Sequence, residues 1–268
     1  MTVIWGILNI TPDSFSDGGR YVDPTAAIAH ARMLRGQGAA IIDVGGESTR
    51  PGAVRITPAE EQARVLPIIE ALTDAGIPTS IDTLNADTAA AAVRAGTVIV
   101  NDVSGGLADE RMLPAVAELG ADFAIGHWRG PSDDMYARAQ YVRVAREVAS
   151  ELRDRVTAAA AAGIAPDRLI VDPGIGFAKT AEQNWETLRG IDEIVALGHR
   201  VLIGTSRKRF LADVLDSTDD DPVTPQRRDL ATAVTSALAV RAGAWAVRVH
   251  DVAATRDALA VLGAWDGA

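Results

Sequence analysis

Apolar residues recur along the chain in short runs, and a longer segment with the spacing of an amphipathic helix follows each run. The runs predict eight buried strands, at 3–8, 40–44, 78–81, 98–100, 123–125, 169–171, 201–203 and 246–249. One helix begins at Pro24 and ends before Gly38, and Thr57 with Glu60 predicts a capping box at the start of another. Further helices are predicted at 86–95, 111–119, 136–162, 181–188, 208–215, 229–242 and 253–262.

Strands that alternate with helices indicate a parallel sheet, and near-continuous apolar runs are typical of strands covered on both faces. The 268 residues divide into eight strand–helix units of about 34 residues, which suits a closed (β/α)8 TIM barrel better than an open sheet. No linker or change of composition divides the chain, so we predict one α/β domain over residues 1–268. The stretch 216–228, with four Asp and two Pro, is predicted to be a surface loop.

Polar residues follow the predicted strands, whereas the joints from helix to strand are plain glycine stop signals. Barrel enzymes carry their chemistry at the carboxyl ends of the strands, so this asymmetry favours an enzyme. The polar residues at these ends are Asn9, Asp43, Thr49, Arg50, Asp82, Asn101, Asp102, His127, Asp172, Ser206, Arg207, Lys208, Arg248 and His250.

Asp82, Asn101 and Asp172 follow three different strands and offer carboxylate and amide groups near the barrel axis. A carboxylate accepts two parallel N–H bonds and an amide both donates and accepts, which suits the amidine-like edge of a flat nitrogen heterocycle. The alternative is that each Asp closes an Asx turn or caps a helix. Three such groups on one rim favour the binding site.

A second set of residues is cationic and follows the last two strands. Lys208, Arg248 and His250 lie where barrels often hold phosphate, and Ser206 is predicted to cap the helix that carries Lys208. These residues predict a phosphate or pyrophosphate site. The alternatives are a solvated helix position for Lys208 and a structural role for His250.

Composition excludes several other classes of protein. The chain has no cysteine, which excludes disulfides, thiolate metal sites and cysteine nucleophiles and fits a cytoplasmic protein. A net charge of −10 argues against nucleic acid and anionic membranes as partners, and we expect no membrane-spanning or signal segment. The glycine-rich segment 173–180 is not a nucleotide P-loop, because Pro173 and Ala178 stand where that motif needs glycine.

Seven motifs follow the predicted strands in order: GILNITPDSFSDGG at 6–19, DVGGESTRPG at 43–52, SIDT at 80–83, NDVSGG at 101–106, DPGIGF at 172–177, SRK at 206–208 and RVHD at 248–251. Together they resemble the dihydropteroate synthases, pterin-binding enzymes of the folate pathway that sulfonamides inhibit, over essentially the whole chain. The variants GHWRG at 126–130 and FAKT at 177–180 are most similar to actinobacterial members.

The resemblance implies a transferase that joins 6-hydroxymethyl-7,8-dihydropterin pyrophosphate to p-aminobenzoate and releases pyrophosphate and 7,8-dihydropteroate. It implies four residues at the pterin, namely Asp82, Asn101, Asp172 and Lys208. It places the pyrophosphate at Asn9, Arg248 and His250, with Mg²⁺ on Asn9. It places p-aminobenzoate among six residues: Phe15, Thr49, Arg50, Pro51, Phe177 and Ser206. It further implies a homodimer built through the last helices.

The mechanism implied by the family is a dissociative step, because an arylamine is a weak nucleophile and neutralised pyrophosphate is a good leaving group. Carboxylates such as Asp13 and Asp82 then stabilise the pterin cation electrostatically. The resemblance therefore implies four catalytic residues, namely Asp13, Asp82, Lys208 and Arg248. The chain departs from the common family pattern at Gly126, at Gln183 and at the pair Arg228–Asp229. We expect the helical departures to tune packing and Gly126 to alter the inner pocket wall.

Two other functions stay open on the sequence. A pterin-binding methyltransferase of related fold shares the acidic pterin residues, but it does not need the first-loop or SRK motifs that are present here. A paralogue that binds pterins without catalysis is expected to lose loop residues, whereas Asp13, Phe15, Thr49 and Arg50 are all in place.

Overall fold

The computed structural model describes residues 2–11, 23–47, 55–130, 138–215 and 222–267. Within them, eight parallel strands close into a barrel in chain order, with β8 paired to β1. The strands are β1 (Val3–Asn9), β2 (Ile41–Gly45), β3 (Thr79–Asp82), β4 (Ile99–Asp102), β5 (Asp122–Gly126), β6 (Leu169–Asp172), β7 (Arg200–Ile203) and β8 (Ala246–Val249). The predicted (β/α)8 barrel is confirmed, while the single-domain boundary stays a prediction.

Helices connect the strands and cover the outside of the barrel. They are α1 (Pro24–Gln37), α2 (Pro58–Asp74), α3 (Ala86–Arg94), α4 (Met112–Leu119), α5 (Val144–Ala161), α6 (Ala181–Arg189), α7 (Ile191–Val195), α8 (Arg209–Ala212), α9 (Pro225–Arg241) and α10 (Val252–Asp266). Their apolar faces and the outward faces of the strands form the large core. No helix among the described residues is long and apolar enough to cross a membrane.

The barrel interior changes character along the strands. Its lower part is a separate apolar cluster of strand residues: Trp5, Ile99, Ala124, Ile170, Leu202 and Ala246. Side chains alternate with a period of two, so the next inward positions after these include Asn101, Asp172 and Arg248. The same alternation therefore fills the bottom of the barrel with apolar groups and places polar groups at its carboxyl end.

Several helix boundaries differ from the sequence prediction for local reasons. Helix α5 begins at Val144 rather than at 136, because the Glu147 carboxylate accepts the N–H groups of Val142 and Arg143 at 2.7 and 2.8 Å and closes the first turn there. Helix α9 begins at Pro225, inside the predicted loop, because Thr224 caps it and proline is favoured in a first turn. Helix α8 is shorter than predicted at both ends.

The predicted capping box at α2 is half formed. The Thr57 hydroxyl accepts the Glu60 N–H at 3.2 Å, but the Glu60 carboxylate pairs with Arg64 one turn later. A complete capping box opens α6, where Thr180 and Gln183 exchange both bonds. In α2 the i,i+4 ion pair with Arg64 draws the Glu60 carboxylate away from the Thr57 N–H. In α6 the neutral Gln183 side chain forms no ion pair and so stays available to the Thr180 N–H.

Candidate active site

Arg248 on β8 joins two strands across the carboxyl end of the barrel. Its Nε donates to Asp43 Oδ2 at 2.5 Å and its Nη2 donates to Asp82 Oδ2 at 2.7 Å. Asp43 also accepts Ser80 Oγ at 2.5 Å and the Asn101 side-chain amide at 3.3 and 3.4 Å. Asp43 is fully buried, so this network fixes the orientation of both Arg248 and Asn101.

The electrostatics of this network follow from its burial. Burial raises the pKa of Asp82 to about 7, and the Arg248 guanidinium offsets part of that rise. Burial acts to lower the pKa of Arg248, but the carboxylates of Asp43 and Asp82 outweigh it and raise that pKa above its usual value. The arginine is therefore a fixed positive charge at the bottom of the site.

Lys208 and Asp172 form the opposite side of the site. Lys208 Nζ donates to the Ile175 carbonyl and lies 4.8 Å from the centre of the Phe177 ring. Burial lowers the pKa of Lys208 to about 8, although Asp172 opposes the change. Burial also raises the pKa of Asp172, which Lys208 opposes in turn. A Cβ at Gly176 would lie 2.7 Å from Lys208 Cδ, so glycine lets the lysine stem pass.

The predicted heterocycle-binding groups keep hydrogen-bonding capacity that the described residues do not use. Asp172 Oδ1 accepts the Gly174 N–H at 2.7 Å, so the Asx turn considered from the sequence does form, but Oδ2 has no protein partner among those residues. The same holds for Asp82 Oδ1 and for the Asn101 side-chain oxygen. The turn and the binding role are compatible, because each uses a different oxygen.

Ser206 does not cap a helix, contrary to the sequence prediction. Its hydroxyl pairs with His250 Nδ1 at 2.9 Å and accepts the His250 N–H at 3.0 Å, so it joins the loop after β7 to the end of β8. Lys208 is the residue before α8 rather than part of it, and α8 has no side-chain cap. Gly204 lies between two cations, since a Cβ there would be 3.9 Å from Arg248 Cβ and 4.0 Å from Lys208 Nζ.

Asn9 ends β1 beside Asp82. A Cβ at Gly45 would lie 3.8 Å from both Asn9 Oδ1 and Asp82 Oδ2, so these oxygens flank the same open position. The Asn9 amide makes no hydrogen bond to the described residues. Those residues contain no group of three or more acidic or histidine ligands. The donor set fits Mg²⁺ held chiefly by water and a substrate phosphate, with few protein oxygens.

Five predicted site residues lie outside the described residues, namely Asp13, Phe15, Thr49, Arg50 and Pro51. The others lie at the carboxyl end of the barrel, as the strand order predicts. Sequence reasoning placed Asp43 at this end but gave it no role. Its signal was an acid inside an otherwise apolar strand, which must find a partner when buried.

A second group of ionisable residues joins the loop after β6 to the end of β5 and to α5, and we call it the anchor cluster: His127, Arg129, Glu151 and Lys179. Lys179 and His127 are nearly inaccessible, at 1% and 2% exposure. Lys179 was missed in the sequence because a lysine in a polar loop is usually solvated. Its neighbours come from β5 and α5, which the local pattern does not bring together.

The departures from the common family pattern mostly make hydrogen bonds. Gln183 donates to the Ala139 carbonyl at 3.1 Å, and Asp229 accepts two bonds from Arg207 at 2.7 and 2.8 Å. A Cβ at Gly126 would lie 2.4 Å from the Val103 carbonyl oxygen, so backbone forms the wall there. The departures at Gln183 and Asp229 therefore form hydrogen bonds, whereas the sequence predicted that they adjust packing.

Comparisons with known proteins identify the family to which the chain belongs. A family described as pterin binding enzyme matches residues 5–250. The dihydropteroate synthase of Mycobacterium leprae (strain TN) is 51% identical over 97% of this chain and 92% of its own length. The solved Xanthomonas albilineans dihydropteroate synthase with 4-aminobenzoic acid has a TM-score of 0.90 at 40% identity, covering 100% of this chain and 94% of that one. The complex of that enzyme with 7,8-dihydropteroate gives 0.87 at 37% identity, with the same coverage.

Proposed function

The chain belongs to the pterin-binding enzyme family, and we propose that the polar end of its barrel is the active site of a dihydropteroate synthase. The activity joins 6-hydroxymethyl-7,8-dihydropterin pyrophosphate to p-aminobenzoate and releases pyrophosphate, a transferase step of folate synthesis. The observation that carries the assignment is the set of unused donors and acceptors that Asp82, Asn101, Asp172 and Lys208 present at one end of a closed barrel. The Xanthomonas albilineans relative, solved with 4-aminobenzoic acid and with 7,8-dihydropteroate, supports the substrates.

The pterin is proposed to lie among Asp82, Asn101, Asp172 and Lys208. The free carboxylate oxygens accept the N–H groups of the aminopyrimidine edge, and the Asn101 oxygen is oriented by the bond of its amide to Asp43. Lys208 has two N–H groups left after its bond to Ile175, which suits the ring oxygen or a ring nitrogen. Burial makes each of these bonds stronger than in water.

The pyrophosphate is proposed to lie over Arg248, His250 and Asn9. Arg248 stays protonated throughout and offers its remaining N–H groups to the phosphate oxygens, while Ser206 orients His250. Mg²⁺, when bound with the substrate at Asn9, supplies further neutralisation of the leaving group. Cations on this side lower the energy of the departing pyrophosphate.

Carboxylates beside the pterin complete the proposed reaction. As the bond to pyrophosphate lengthens, positive charge grows on the pterin, and Asp82 stabilises it electrostatically. The arylamine is proposed to lie near Phe177 and Ser206, with Phe15, Thr49, Arg50 and Pro51 as further predicted contacts. Asp13 is predicted to help stabilise the pterin cation, and these last five residues lie outside the described residues. No strong general base is required, because the arylamine attacks an already cationic carbon.

A homodimer is part of the proposal, supported by exposed apolar residues on the last two helices. Leu230, Val234 and Leu238 recur at intervals of four on α9, and Val261 and Trp265 do so on α10; all are at least half exposed. A row of this kind suits burial against a second copy. Sedimentation that gives one mass of 28.1 kDa at micromolar concentration would reject it. A cytoplasmic location stays a prediction.

The test of function combines purified protein, Mg²⁺, dihydropterin pyrophosphate and p-aminobenzoate and measures dihydropteroate and pyrophosphate in equal amounts. Asp172→Asn keeps the shape of the side chain but converts an acceptor to a donor, so we expect a loss of at least about 100-fold in kcat/KM. Asp167→Asn, an exposed residue before β6, is the matched control and leaves the rate unchanged. Pterin binding without product would identify a non-catalytic binding protein, and absence of both would reject the family's activity here.

A further inference from the structure

The loop after β6, residues 173–180, has a constrained backbone. Gly174 and Gly176 have φ values of +63° and +85°, and Ala178 adopts φ +48°, a left-handed conformation that a side chain disfavours by about 1–2 kcal/mol. A Cβ at Gly174 would lie 2.3 Å from the His127 carbonyl oxygen, so the loop packs directly onto the end of β5. Backbone held in such a conformation requires contacts that keep it there.

Lys179 supplies these contacts from inside the loop. Its Nζ donates to the Gly174 carbonyl at 3.1 Å, to the Phe177 carbonyl at 3.2 Å and contacts His127 Nδ1 at 3.1 Å. An ammonium has three N–H groups, so these three partners use its full capacity. Burial lowers the pKa of Lys179 to about 7, and the carboxylate of Asp172 opposes that change.

His127 connects Lys179 to α5 and to the end of β5. Its N–H donates to the Asp172 carbonyl at 2.9 Å, and its Nε2 pairs with Glu151 Oε2 at 2.9 Å. Burial lowers the pKa of His127 to about 4, so the ring is neutral and carries its proton on Nε2, leaving Nδ1 to accept from Lys179. Arg129 holds Glu151 in turn and stacks 3.7 Å from the centre of the Tyr141 ring.

The loop also contributes to the site. Phe177, whose carbonyl Lys179 binds, presents its ring to Lys208, and the Ile175 carbonyl accepts the Lys208 ammonium. A shift of the loop would therefore move the surface proposed for the arylamine. Asp82 lies in β3 and has no hydrogen bond to the loop, whereas Asp172, at the end of β6, is joined to it by the bond from the Gly174 N–H.

We propose that Lys179 is a positioning residue that fixes the loop after β6 and so places Phe177 against the arylamine substrate. The inference rests on the proposed function, because it takes Phe177 as an arylamine contact. It assigns Lys179, which touches no substrate, a specific effect on one of the two substrates. A residue that only stabilises the core would instead affect the folded fraction and both substrates alike.

The test is a double-substitution cycle on Lys179→Met and Phe177→Ala. Methionine keeps the length and apolar stem of lysine but removes all three donors. With saturating dihydropterin pyrophosphate, we expect Lys179→Met to raise the KM for p-aminobenzoate by about 10-fold, a typical consequence of losing a charged hydrogen bond that orders a contact. Binding of a pterin without arylamine, measured by calorimetry, changes by a smaller factor, because Asp82 and Asn101 have no hydrogen bond to the loop, although Asp172 and Lys208 do.

The cycle separates an effect through Phe177 from a general one. In the Phe177→Ala background, Lys179→Met changes the arylamine KM by less than about twofold, because the contact it positions is already gone. Arg189→Met is the control: it removes a charge from α6 that pairs with the exposed Glu182, and it leaves both constants unchanged. Equal effects of Lys179→Met in both backgrounds would overturn the proposal.

Two further outcomes are decisive. If Phe177→Ala alone leaves the arylamine KM unchanged, the proposed arylamine contact is wrong and the role of Lys179 fails with it. If Phe177→Ala raises that KM but Lys179→Met does not, only the role of Lys179 is rejected. Should Lys179→Met not fold, His127→Leu removes one acceptor and is expected to change the KM in the same direction; an unchanged KM there rejects the proposal.

Discussion

Two groups of buried or half-buried polar side chains lie at the same end of the barrel and differ in how many of their hydrogen bonds the protein itself satisfies. We call the first the substrate cluster: Asp43, Asp82, Asn101, Asp172, Lys208 and Arg248. Within the described chain it leaves one oxygen free on each of Asp82, Asn101 and Asp172, and two donors free on Lys208. In the anchor cluster, Lys179, His127, Arg129 and Glu151 satisfy one another and nearby carbonyls.

The difference shows what buried charge is used for in this protein. An unsatisfied polar group in a low-dielectric site is costly, and a ligand that satisfies it recovers the cost as affinity. A saturated network offers nothing to a ligand and instead fixes the elements it joins. Burial and charge alone therefore do not identify a binding site, whereas burial together with unused capacity does.

The largest effect is expected for Arg248→Ala, which removes from the substrate cluster the positive charge that pairs with Asp43 and Asp82. Asp43 and Asp82 then lose their shared counter-charge, and breaking a buried pair in this way costs about 3–5 kcal/mol. Activity falls by about 100–1000-fold, as when an electrostatic stabiliser of developing charge is removed. Denaturant unfolding and steady-state kinetics measure the two effects.

If Arg248 binds the pyrophosphate, Arg248→Ala should weaken binding of the pyrophosphate substrate more than binding of a pterin without phosphates. Equal losses would contradict that role. Arg248→Lys provides a milder control, because it keeps the charge but loses the fork that reaches both carboxylates, and it preserves folding if the alanine variant does not fold.

Lys208→Ala tests the unused capacity directly. Among the described residues, only the Ile175 carbonyl loses its side-chain donor, so we expect the fold to stay intact. Pterin affinity falls by about 10–100-fold, the equivalent of one charged hydrogen bond of about 1.5–3 kcal/mol. Calorimetry with the pterin measures the affinity, and Arg209→Ala, the exposed next residue, is the control. Unchanged affinity and rate would remove Lys208 from the site.

The saturated cluster predicts an effect of pH on stability rather than on binding. Lys179 has a pKa of about 7 in the folded protein and about 10.4 when unfolded, so between these values the unfolded chain binds more protons and stability rises with pH. The unfolding free energy of the wild type should gain about 2 kcal/mol relative to Lys179→Met between pH 7 and 9. Lys208 titrates in both proteins, so only its coupling to Lys179 remains in the difference. A pH-independent difference would refute the assignment.

The smallest effect is expected for charges that are exposed. Arg111, the residue before α4, pairs with Asp87 on α3 and with Asp109, and the Arg111 and Asp87 side chains are more than half exposed. Arg111→Ala should change the unfolding free energy by less than about 1 kcal/mol, with the difference shrinking as salt is added. Urea unfolding at low and high salt measures the change. A larger loss would show that exposure does not explain why such a charge contributes less to stability than the charges of the substrate cluster.

The fold was predictable because its signals are local. Eight apolar runs alternate with helical segments, some of which begin at proline or end at glycine, and each unit specifies its own strand and helix. The errors also have local causes: Glu147 closes a helix turn that the pattern extends too far, and Ser206 finds His250 instead of the start of a helix. Competition for a partner is invisible when each candidate cap is considered by itself.

By itself, the sequence determined that eight strands end in polar residues and that these residues meet at one end of the barrel. Tertiary structure decided which of them bind one another. Closure of β8 onto β1 brings Arg248 to Asp43, 205 positions earlier, and packing of the loop after β6 onto β5 brings Lys179 to His127, 52 positions earlier. A hydrogen-bond partner is chosen by distance in space, so only the closed barrel shows which polar atoms remain free for substrate.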